Sequence, residues 1–297
     1  MNQIKRIGVT GNPRYGNVAQ ALERLVKIVP NYGLELLVGP QLRSASGLSS
    51  AELPETAAEI DLLITLGGDG ALLGGARWAG PAGTPVLGVN LGRLGFLTAV
   101  NLEEMEEAVR RISLGEFVLD TRMALEVCLE HEDASEPFYA LNDGVLHRGG
   151  LVRVVTLRVW ADDEEVGLYR GDGVIVATPT GSTAYSLSSG GPILDPDLDA
   201  IVVTPICPHT MAVRPLVLRD SARITIEVVS SPEDLILTVD GQVGSGLSQG
   251  DRVVICKAPR PVRLVRLPGQ SFFSLLRRKL KWGDVAERVP SDGATDD

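Results

Sequence analysis

The first part of the chain is organised around one stretch, Leu62-Leu63-Ile64-Thr65-Leu66-Gly67-Gly68-Asp69-Gly70. Its apolar run is too short for a helix and is suited to a strand that is covered on both faces of a sheet. Glycines and one acid end this strand, and the helix-forming residues Ala71-Leu72-Leu73 follow at once. The stretch therefore predicts a strand, a tight loop and a helix, which are the parts of one unit of a parallel sheet.

Similar units flank this stretch on both sides. Short, unbroken apolar runs predict three more strands, which are Ile4–Val9, Leu34–Val38 and Val86–Val89. Apolar residues at intervals of three and four predict a helix between residues 19 and 29. A later helix should begin at the capping pair Asn101 and Glu104 and stop at Gly115. We therefore predict an α/β domain with a parallel sheet over residues 1–120.

Beyond residue 120 the apolar residues recur at every second position, which is typical of strands with one buried face. The predicted strands are Leu125–Glu130, Val152–Trp160, Val174–Ala177, Ile201–Thr204, Ile224–Val228, Leu235–Val239, Val253–Ile255 and Val262–Leu264. We predict a β-rich, sandwich-like domain over residues 121–267. Residues 268–297 should form a C-terminal segment in which the helical pattern of Ser271–Trp282 packs back on the first domain, followed by a disordered end.

The charge balance argues against a nucleic-acid partner. The 297 residues include 28 Lys and Arg against 38 Asp and Glu, a net charge of −10. Such an excess of anions repels a phosphate backbone. The basic residues between Arg252 and Arg288 are interleaved with leucine and phenylalanine, which favours a packed amphipathic segment over a nucleic-acid arm.

The cysteines and the uncharged stretches favour a cytoplasmic protein without a membrane partner. Cys128, Cys207 and Cys256 are far apart and form no CxxC pair, so neither a disulfide framework nor a thiolate metal site is indicated. The first residues lack the apolar core of a signal peptide. Residues 173–194 carry no charge, but their Gly, Ser, Thr and Pro content predicts a polar loop region rather than a membrane span.

Several common chemistries are excluded by inspection. The chain has no Walker A loop, and no GxGxxG follows a predicted strand. The G-x-S-x-G of residues 246–250 lies between two strand-like runs, so we interpret it as a turn and not as a nucleophile elbow. The three histidines lack ligand spacing, and we therefore predict no metal site built by protein side chains.

The loop around Asp69 is the first candidate site. Ligands of parallel sheets bind beyond the carboxyl ends of the strands, where this loop would lie. Glycines there let backbone N–H groups approach phosphate oxygens, and an acid can accept a proton or position a cation. The alternative is a plain strand-to-helix turn in which Asp69 caps the helix. We favour a functional loop because three glycines surround a single acid.

Three further Asp-Gly pairs follow apolar runs, and they are Asp143-Gly144, Asp172-Gly173 and Asp240-Gly241. Asp-Gly is a preferred type I′ hairpin pair, so a turn explains each of them equally well. Asn142 beside Asp143 could read an adenine or ribose edge, or it could satisfy the backbone of a turn.

The segment Gly171–Pro192 is the densest in small polar residues. It contains one short strand and then many hydroxyl groups, several glycines and the single aromatic residue Tyr185. Hydroxyls around an aromatic ring can bind ribose and stack a base, whereas the alternative is a serine-rich surface loop. We favour a ligand site, because Pro179 and Pro192 within the segment and Pro196 just after it stiffen it.

Taken together, these residues resemble the NAD kinase family. The correspondence runs in order through Gly67–Gly70, Asn90–Leu97, Leu141–Asp143, Gly171–Pro192 and Val239–Gln242. A Gly-Gly-Asp-Gly loop also occurs in lipid kinases and phosphofructokinases, but the ordered combination is specific. The family's fold is an α/β domain plus a β-rich domain, with the C-terminal segment returning to the first domain, and it agrees with the predicted pattern.

The resemblance also implies the residues of the site. Asp69 would be the proton acceptor. The residues implied to line the NAD site are Asp69, Gly70, Asn142, Asp143, Arg153, Arg170, Asp172, Thr183, Ala184, Tyr185, Ser186, Leu187, Ser188 and Gln242. The sequence departs from the family at Ala71, where Thr is usual, at Gly74, where a basic residue is common, and at Asp143, where Glu is usual. These departures concern the phosphate donor more than the acceptor hydroxyl.

The implied activity is transfer of a phosphoryl group from ATP or polyphosphate to the 2′-hydroxyl of the adenosine ribose of NAD, which gives NADP. A divalent cation, Mg²⁺, would be carried by the phosphates of the donor. The resemblance implies a homodimer or homotetramer. Two alternatives remain at this point: a lipid or sugar kinase that shares the Gly-Gly-Asp-Gly loop, and a non-catalytic NAD-binding regulator.

Overall fold

The computed structural model describes residues 4–46, 51–92, 95–130, 136–149, 154–210, 212–230, 235–268 and 271–281. These residues form two domains, an α/β domain followed by a domain of two antiparallel sheets. The α/β fold class predicted for the first part of the chain and the β-rich sandwich predicted for the second are both confirmed. No helix in this part of the chain is both long and apolar enough to cross a bilayer.

The first domain is built around one sheet with the spatial order β3-β2-β1-β4-β5-β20-β7, and β6 pairs with β5. All neighbours are parallel except β7, which runs antiparallel to β20. The strands of this sheet are β1 Arg6–Gly11, β2 Glu35–Val38, β3 Ala51–Glu52, β4 Leu62–Gly67, β5 Val86–Asn90, β6 Val100–Asn101, β7 Val118–Arg122 and β20 Val262–Arg266. Strand β4 is buried along its whole length, as its unbroken apolar run predicts.

Helices cover both faces of this sheet. The helices are α1 Val18–Ile28, α2 Pro40–Ser46, α3 Asp69–Ala79, α4 Met105–Leu114, α5 Tyr185–Ser188 and α6 Phe272–Leu280, of which α5 belongs to the second domain. The apolar faces of α1 and α4 pack in one core cluster with the sheet, and α3 packs in another on the opposite face. The predicted capping pair is present, because Asn101 and Glu104 each accept a hydrogen bond from the other's backbone N–H, at 2.9 and 3.1 Å.

The second domain is a sandwich of two six-stranded antiparallel sheets. One sheet has the order β15-β14-β13-β10-β17-β18 and the other β12-β11-β16-β19-β8-β9. Apolar residues of both sheets share a single core cluster between them. The strands are β8 Leu125–Glu130, β9 Phe138–Ala140, β10 Asp143–Arg148, β11 Val155–Ala161, β12 Glu164–Gly171, β13 Gly173–Ala177, β14 Ala200–Ile206, β15 Leu216–Arg219, β16 Ile224–Ser230, β17 Leu235–Val239, β18 Val243–Leu247 and β19 Arg252–Lys257.

The chain crosses between the two domains twice, from β7 to β8 and from β19 back to β20. Strand β20 lies inside the sheet of the first domain. The chain therefore returns to that domain near residue 258, whereas the sequence pattern predicts the boundary at residue 267. The pattern misses this return because a strand that leaves one sheet and a strand that enters another have the same alternation.

The three Asp-Gly pairs serve different purposes. Asp240 and Gly241 form the hairpin turn between β17 and β18 with φ of 50° and 63°, as a type I′ turn requires. Asp143 and Gly144 instead begin β10, and Asp172 joins β12 to β13. The hairpin interpretation is therefore right for one pair and wrong for the other two.

Candidate active site

Asp69 lies where β4 ends and α3 begins, as the opening stretch of sequence predicts. It is the first residue of the helix, and Gly68 occupies the cap position without a side-chain capping bond. The alternative in which Asp69 caps this helix is therefore wrong. Its side chain points instead at the segment Phe96–Thr98, which follows β5.

The Asp69 carboxylate accepts three backbone hydrogen bonds from this segment. Its Oδ2 accepts from the Phe96 N–H at 2.7 Å, and its Oδ1 accepts from the N–H groups of Leu97 and Thr98 at 3.1 and 3.2 Å. The Thr98 hydroxyl adds a longer contact to Oδ1, at 3.4 Å. A carboxylate oxygen has two lone pairs, so Oδ1 is fully occupied while Oδ2 keeps one acceptor position.

Gly95 makes this close seating possible. A Cβ at position 95 would lie 1.8 Å from Asp69 Oδ1 and 2.4 Å from its Cγ. Any side chain there would displace the carboxylate from its three N–H donors. The sequence contained this glycine only as part of the stretch Asn90–Leu97, with no local signal of its purpose.

Residues that neighbour Asp69 line two cavities. We call the first the Thr98 cavity; it has a volume of about 670 Å³ and is lined by Asn90, Thr98, Arg122, Thr180, Thr183 and Arg266 among others. We call the second the Gly70 cavity; it has a volume of about 840 Å³ and is lined by Asn12, Arg14, Gly70, Gly74, Arg77 and Gln242 among others. Both volumes are in the range of small-molecule sites. The Phe96–Thr98 segment that binds the Asp69 carboxylate lines the first cavity, and Gly70 beside Asp69 lines the second.

A second buried acid holds the turn that carries Asn142. The Asp240 carboxylate accepts the backbone N–H groups of Leu141, Asn142 and Asp143 at 3.2, 2.8 and 3.3 Å. Burial raises the pKa of Asp240, and these N–H donors and the charge of Arg77 oppose that rise. The carboxylate thus fixes the position of the turn.

Arg77 and Gln242 tie this turn to the start of α3. An Arg77 guanidinium nitrogen lies 3.9 Å from Asp240 Oδ2, and another donates to Gln242 Oε1 at 2.7 Å. The Gln242 amide in turn donates to the Gly70 carbonyl at 2.6 Å. The chain of contacts brings Gln242 and the Asn142 turn of the second domain to the Gly-rich loop of the first.

Asp143 is buried beside Asp240. Burial, and after it the negative charge of Asp240, raise the pKa of Asp143 to about 7. Asp143 therefore changes charge within the physiological range.

The hydroxyl-rich segment lies against Asn142. The Thr178 hydroxyl donates to the Leu141 carbonyl at 2.6 Å, and the Thr178 N–H donates to the Asn142 carbonyl at 2.8 Å. Gly181 passes so close to Asn142 that a Cβ there would lie 2.1 Å from its carbonyl oxygen. Asn142 therefore lies against the loop that carries Thr183, and both are predicted site residues.

The predicted residues of this segment are exposed to different degrees. Thr183 lines the Thr98 cavity, and Tyr185 is exposed, with 44% of its surface accessible. Leu187 and Ala184 are half-buried, and Ser188 is exposed. Ser186 is fully buried and shares a hydrogen bond of 2.8 Å with the Thr204 hydroxyl, so in this structure it is a core contact.

The remaining predicted residues are not brought to Asp69 by the described part of the chain. Asp172 pairs with Arg148 at 3.0 Å, and Arg170 is exposed on β12. Neither residue lines the Thr98 cavity or the Gly70 cavity. Arg153 lies outside the described residues. Among the described residues, no group of three His, Cys, Asp or Glu side chains gathers as metal ligands would.

Two family models match the chain. The model of the ATP-NAD kinase N-terminal domain covers residues 8–117, and that of the ATP-NAD kinase C-terminal domain covers residues 141–267. The NAD kinase of Gemmatimonas aurantiaca is 45% identical over 285 residues, which are 95% of this chain and 98% of that protein. The NAD kinase of Geotalea daltonii is 42% identical over 286 residues, 96% of this chain and 100% of that protein. The fold, the site and these relatives together define a phosphotransferase enzyme.

Solved structures agree with this class. Yeast NADH kinase, determined in complex with NADH, superposes with a TM-score of 0.85 at 29% identity and covers 97% of this chain and 91% of its own. An NAD kinase from Archaeoglobus fulgidus, in complex with ATP, has the same fold with a TM-score of 0.71 at 23% identity, and the match covers 93% of this chain and 98% of that one. The chain belongs to the NAD kinase family, and it is an NAD kinase. The comparisons give no support to the lipid kinase, sugar kinase and non-catalytic alternatives.

Proposed function

We propose that Asp69 is the general base of the phosphoryl transfer to NAD. The observation that carries this proposal is the position of its carboxylate: three N–H donors hold it, these donors belong to residues that line the Thr98 cavity, and the next residue, Gly70, lines the Gly70 cavity. A ribose hydroxyl is a poor nucleophile, and an acid within hydrogen-bond reach can accept its proton as the P–O bond forms. Oδ2 is the atom that keeps an acceptor position free, so the 2′-hydroxyl of the adenosine ribose would donate its proton there.

We assign NAD to the Thr98 cavity and its rim. Thr183 lines this cavity, and Asn142 lies at the loop junction beside Gly181. Amide, hydroxyl and aromatic groups in this arrangement can bind a ribose and stack a base, for which Tyr185 offers an exposed ring. Like Asn142 and Tyr185, Arg170 and Asp172 do not line either cavity, and the resemblance alone is the ground for expecting them in the NAD site.

We assign the phosphate donor, ATP or polyphosphate, to the Gly70 cavity. Gly70 in the first turn of α3 and Gly74 and Gly75 in the second leave the backbone accessible, and Arg14 and Arg77 line the same cavity with positive charge. A helix start and two guanidinium groups suit a chain of phosphates. Asp69, one residue before Gly70, would then face donor and acceptor together.

A divalent cation fits this site only as part of the donor. The Asp69 carboxylate is engaged by N–H donors, and the described residues of the Gly70 cavity offer cationic and amide groups more than carboxylates. Mg²⁺ bound to the donor's phosphates would neutralise the charge that develops during transfer. The residues of this chain would position the donor and accept the proton.

The donor assignment can be tested by varying Gly74. A Cβ at this position would lie 3.5 Å from Gln242 Oε1, an ordinary contact, and the residue lines the Gly70 cavity. Gly74→Arg would place a third guanidinium on the donor side, so the KM for the donor should fall several-fold while the KM for NAD stays unchanged. Steady-state NADP formation with NAD, Mg²⁺ and either ATP or polyphosphate measures both constants. Donor constants that stay unchanged with both donors would exclude the Gly70 cavity as the donor site.

Two further expectations concern the whole protein. The free cysteines among the described residues fit a reducing, cytoplasmic location. Resemblance to the family is the ground for expecting a homodimer or homotetramer. Sedimentation of the purified protein would determine the oligomeric state.

A further inference from the structure

A largely buried group of three charged side chains lies where the chain passes between the two domains. Asp120 and Arg122 are on β7, which leads into the second domain, and Arg266 is on β20, which returns from it. These two strands pair antiparallel, with Leu264 opposite Asp120. We call Asp120, Arg122 and Arg266 the crossover cluster.

Asp120 joins the two arginines. Arg122 donates to both Asp120 oxygens through Nε and Nη2, at 2.5 and 2.6 Å, and Arg266 Nε donates to Asp120 at 3.1 Å. Burial opposes ionisation of Asp120, but the hydrogen bonds and charges of Arg122 and Arg266 outweigh it and lower its pKa. The carboxylate is thus a fixed anion that sets the orientation of two planar guanidinium groups.

Each arginine donates one further hydrogen bond, and the two bonds reach different loops of the site. Arg266 Nη1 donates to the Leu97 carbonyl at 3.1 Å. Leu97 belongs to the Phe96–Thr98 segment, whose N–H groups hold Asp69. Arg122 Nη1 donates to the Thr180 hydroxyl at 3.3 Å, and Thr180 lies at the start of the hydroxyl-rich loop.

We propose that the crossover cluster positions the two halves of the acceptor site relative to each other. Arg266 holds the segment that seats Asp69, Arg122 holds the loop that carries Thr183, and Asp120 fixes the distance between them. Asp120, Arg122 and Arg266 also line the Thr98 cavity, and the role proposed for them is the one they exert through these loops, as positioning residues. A KM for NAD that stays near wild type in Arg266→Lys separates this role from direct contact with NAD. The inference rests on the proposed role of Asp69 and on the assignment of NAD to the Thr98 cavity.

The contact of Arg266 with Leu97 and the contact of Arg122 with Thr180 should affect different kinetic constants. Arg266→Lys keeps the charge, but one ammonium group cannot bind both Asp120 and the Leu97 carbonyl in the geometry of the guanidinium fork. Because misplacement of a catalytic group by about 1 Å can cost about 100-fold, we expect kcat to fall about 10- to 100-fold with the KM for NAD within about threefold. Thr180→Val removes the hydroxyl with little change of shape, and it should raise the KM for NAD about three- to tenfold with a smaller change in kcat.

The experiment measures kcat, the KM for NAD and the melting temperature of the full chain for both variants. Arg223→Lys is the matched control, because Arg223 forms an exposed ion pair with Glu130 on the second domain, away from both cavities. A purely structural role would lower kcat in Arg266→Lys and in Thr180→Val in step with the melting temperature and would leave the KM for NAD of both variants unchanged. That result would overturn the proposal. Wild-type kinetics in Arg266→Lys or in Thr180→Val would overturn the proposal too.

Asp69→Asn belongs in the same set of measurements. If Asp69→Asn is fully active, the assignment of the base fails, whatever the cluster variants do. If Asp69→Asn is inactive and Arg266→Lys has wild-type kcat, the base assignment stands and the crossover cluster has no positioning role. If Arg266→Lys does not fold, Thr180→Val decides the question alone, since it introduces no charge.

Discussion

Asp69 and Asp240 contact the backbone in the same way, and they differ in their surroundings. Each carboxylate accepts three backbone N–H groups of one short segment, residues 96–98 for Asp69 and residues 141–143 for Asp240. The Asp240 side chain is completely buried, whereas Asp69 is half-buried and its neighbours line two cavities. Three N–H donors hold a carboxylate in place in both cases, and access to ligands distinguishes a base from a structural anchor.

The seating of Asp69 can be broken without touching Asp69. Gly95→Ala would place a Cβ 1.8 Å from its Oδ1, so the carboxylate must move. We expect kcat to fall by about 100-fold or more, because the base would no longer face the ribose hydroxyl. Steady-state NADP formation measures the effect.

Gly246→Ala is the control for this variant, since a Cβ there would meet nothing within 4 Å. It should have wild-type turnover. Near-normal kcat in Gly95→Ala would show that the position of the carboxylate does not limit the reaction.

Asp240→Asn should mainly affect stability. Asn tolerates the positive φ of 50° at this position, so the turn itself can persist. Its NH₂ group would, however, replace one oxygen that now accepts an N–H, and Arg77 would lose its anionic neighbour. We expect the free energy of unfolding to fall by about 3 kcal/mol. Urea titration measures it, and turnover per folded molecule should change much less than in Gly95→Ala.

Asp143→Asn should change how stability depends on pH. The pKa of Asp143 is raised from 3.8 to about 7 in the native protein, so between about pH 4 and pH 7 the native state binds more protons than the unfolded chain. The contribution of protonated Asp143 to the free energy of unfolding is therefore fully present at low pH and is lost as the pH rises through 7. Asn removes the titration, so relative to wild type the variant should gain about 2 kcal/mol between pH 5 and pH 8.

Urea titrations of both proteins at pH 5 and pH 8 test this prediction. A constant difference between the variant and wild type across the two pH values would contradict it.

The sequence predicts the Asp69 loop well because every part of that loop is local. A buried strand, its terminal glycines, the acid and the following helix are contiguous in the chain, and each has its own preference. The same holds for the capping pair of Asn101 and Glu104. Such features need no knowledge of the rest of the fold.

The crossover cluster could not be predicted in this way. Arg266 and Asp120 are 146 residues apart and meet only because β20 returns to the first sheet beside β7. Arginine in a strand reads as an exposed position in an alternating pattern, and here it is buried because a carboxylate faces it. The anchoring role of Asp240 was hidden for the same reason, since its partners lie about 100 residues away at Leu141–Asp143.

Asp69→Asn is the sharpest test of the general base, because it nearly preserves the shape and removes the ability to accept a proton. Its NH₂ group also replaces one oxygen that accepts a backbone N–H, and the melt measures that cost separately. Its kcat should fall about 10²- to 10⁴-fold, the NAD dissociation constant measured by calorimetry should stay within about threefold, and the protein should keep its cooperative melt. That combination is the result that a general base predicts. Wild-type turnover in a folded Asp69→Asn protein would contradict the account.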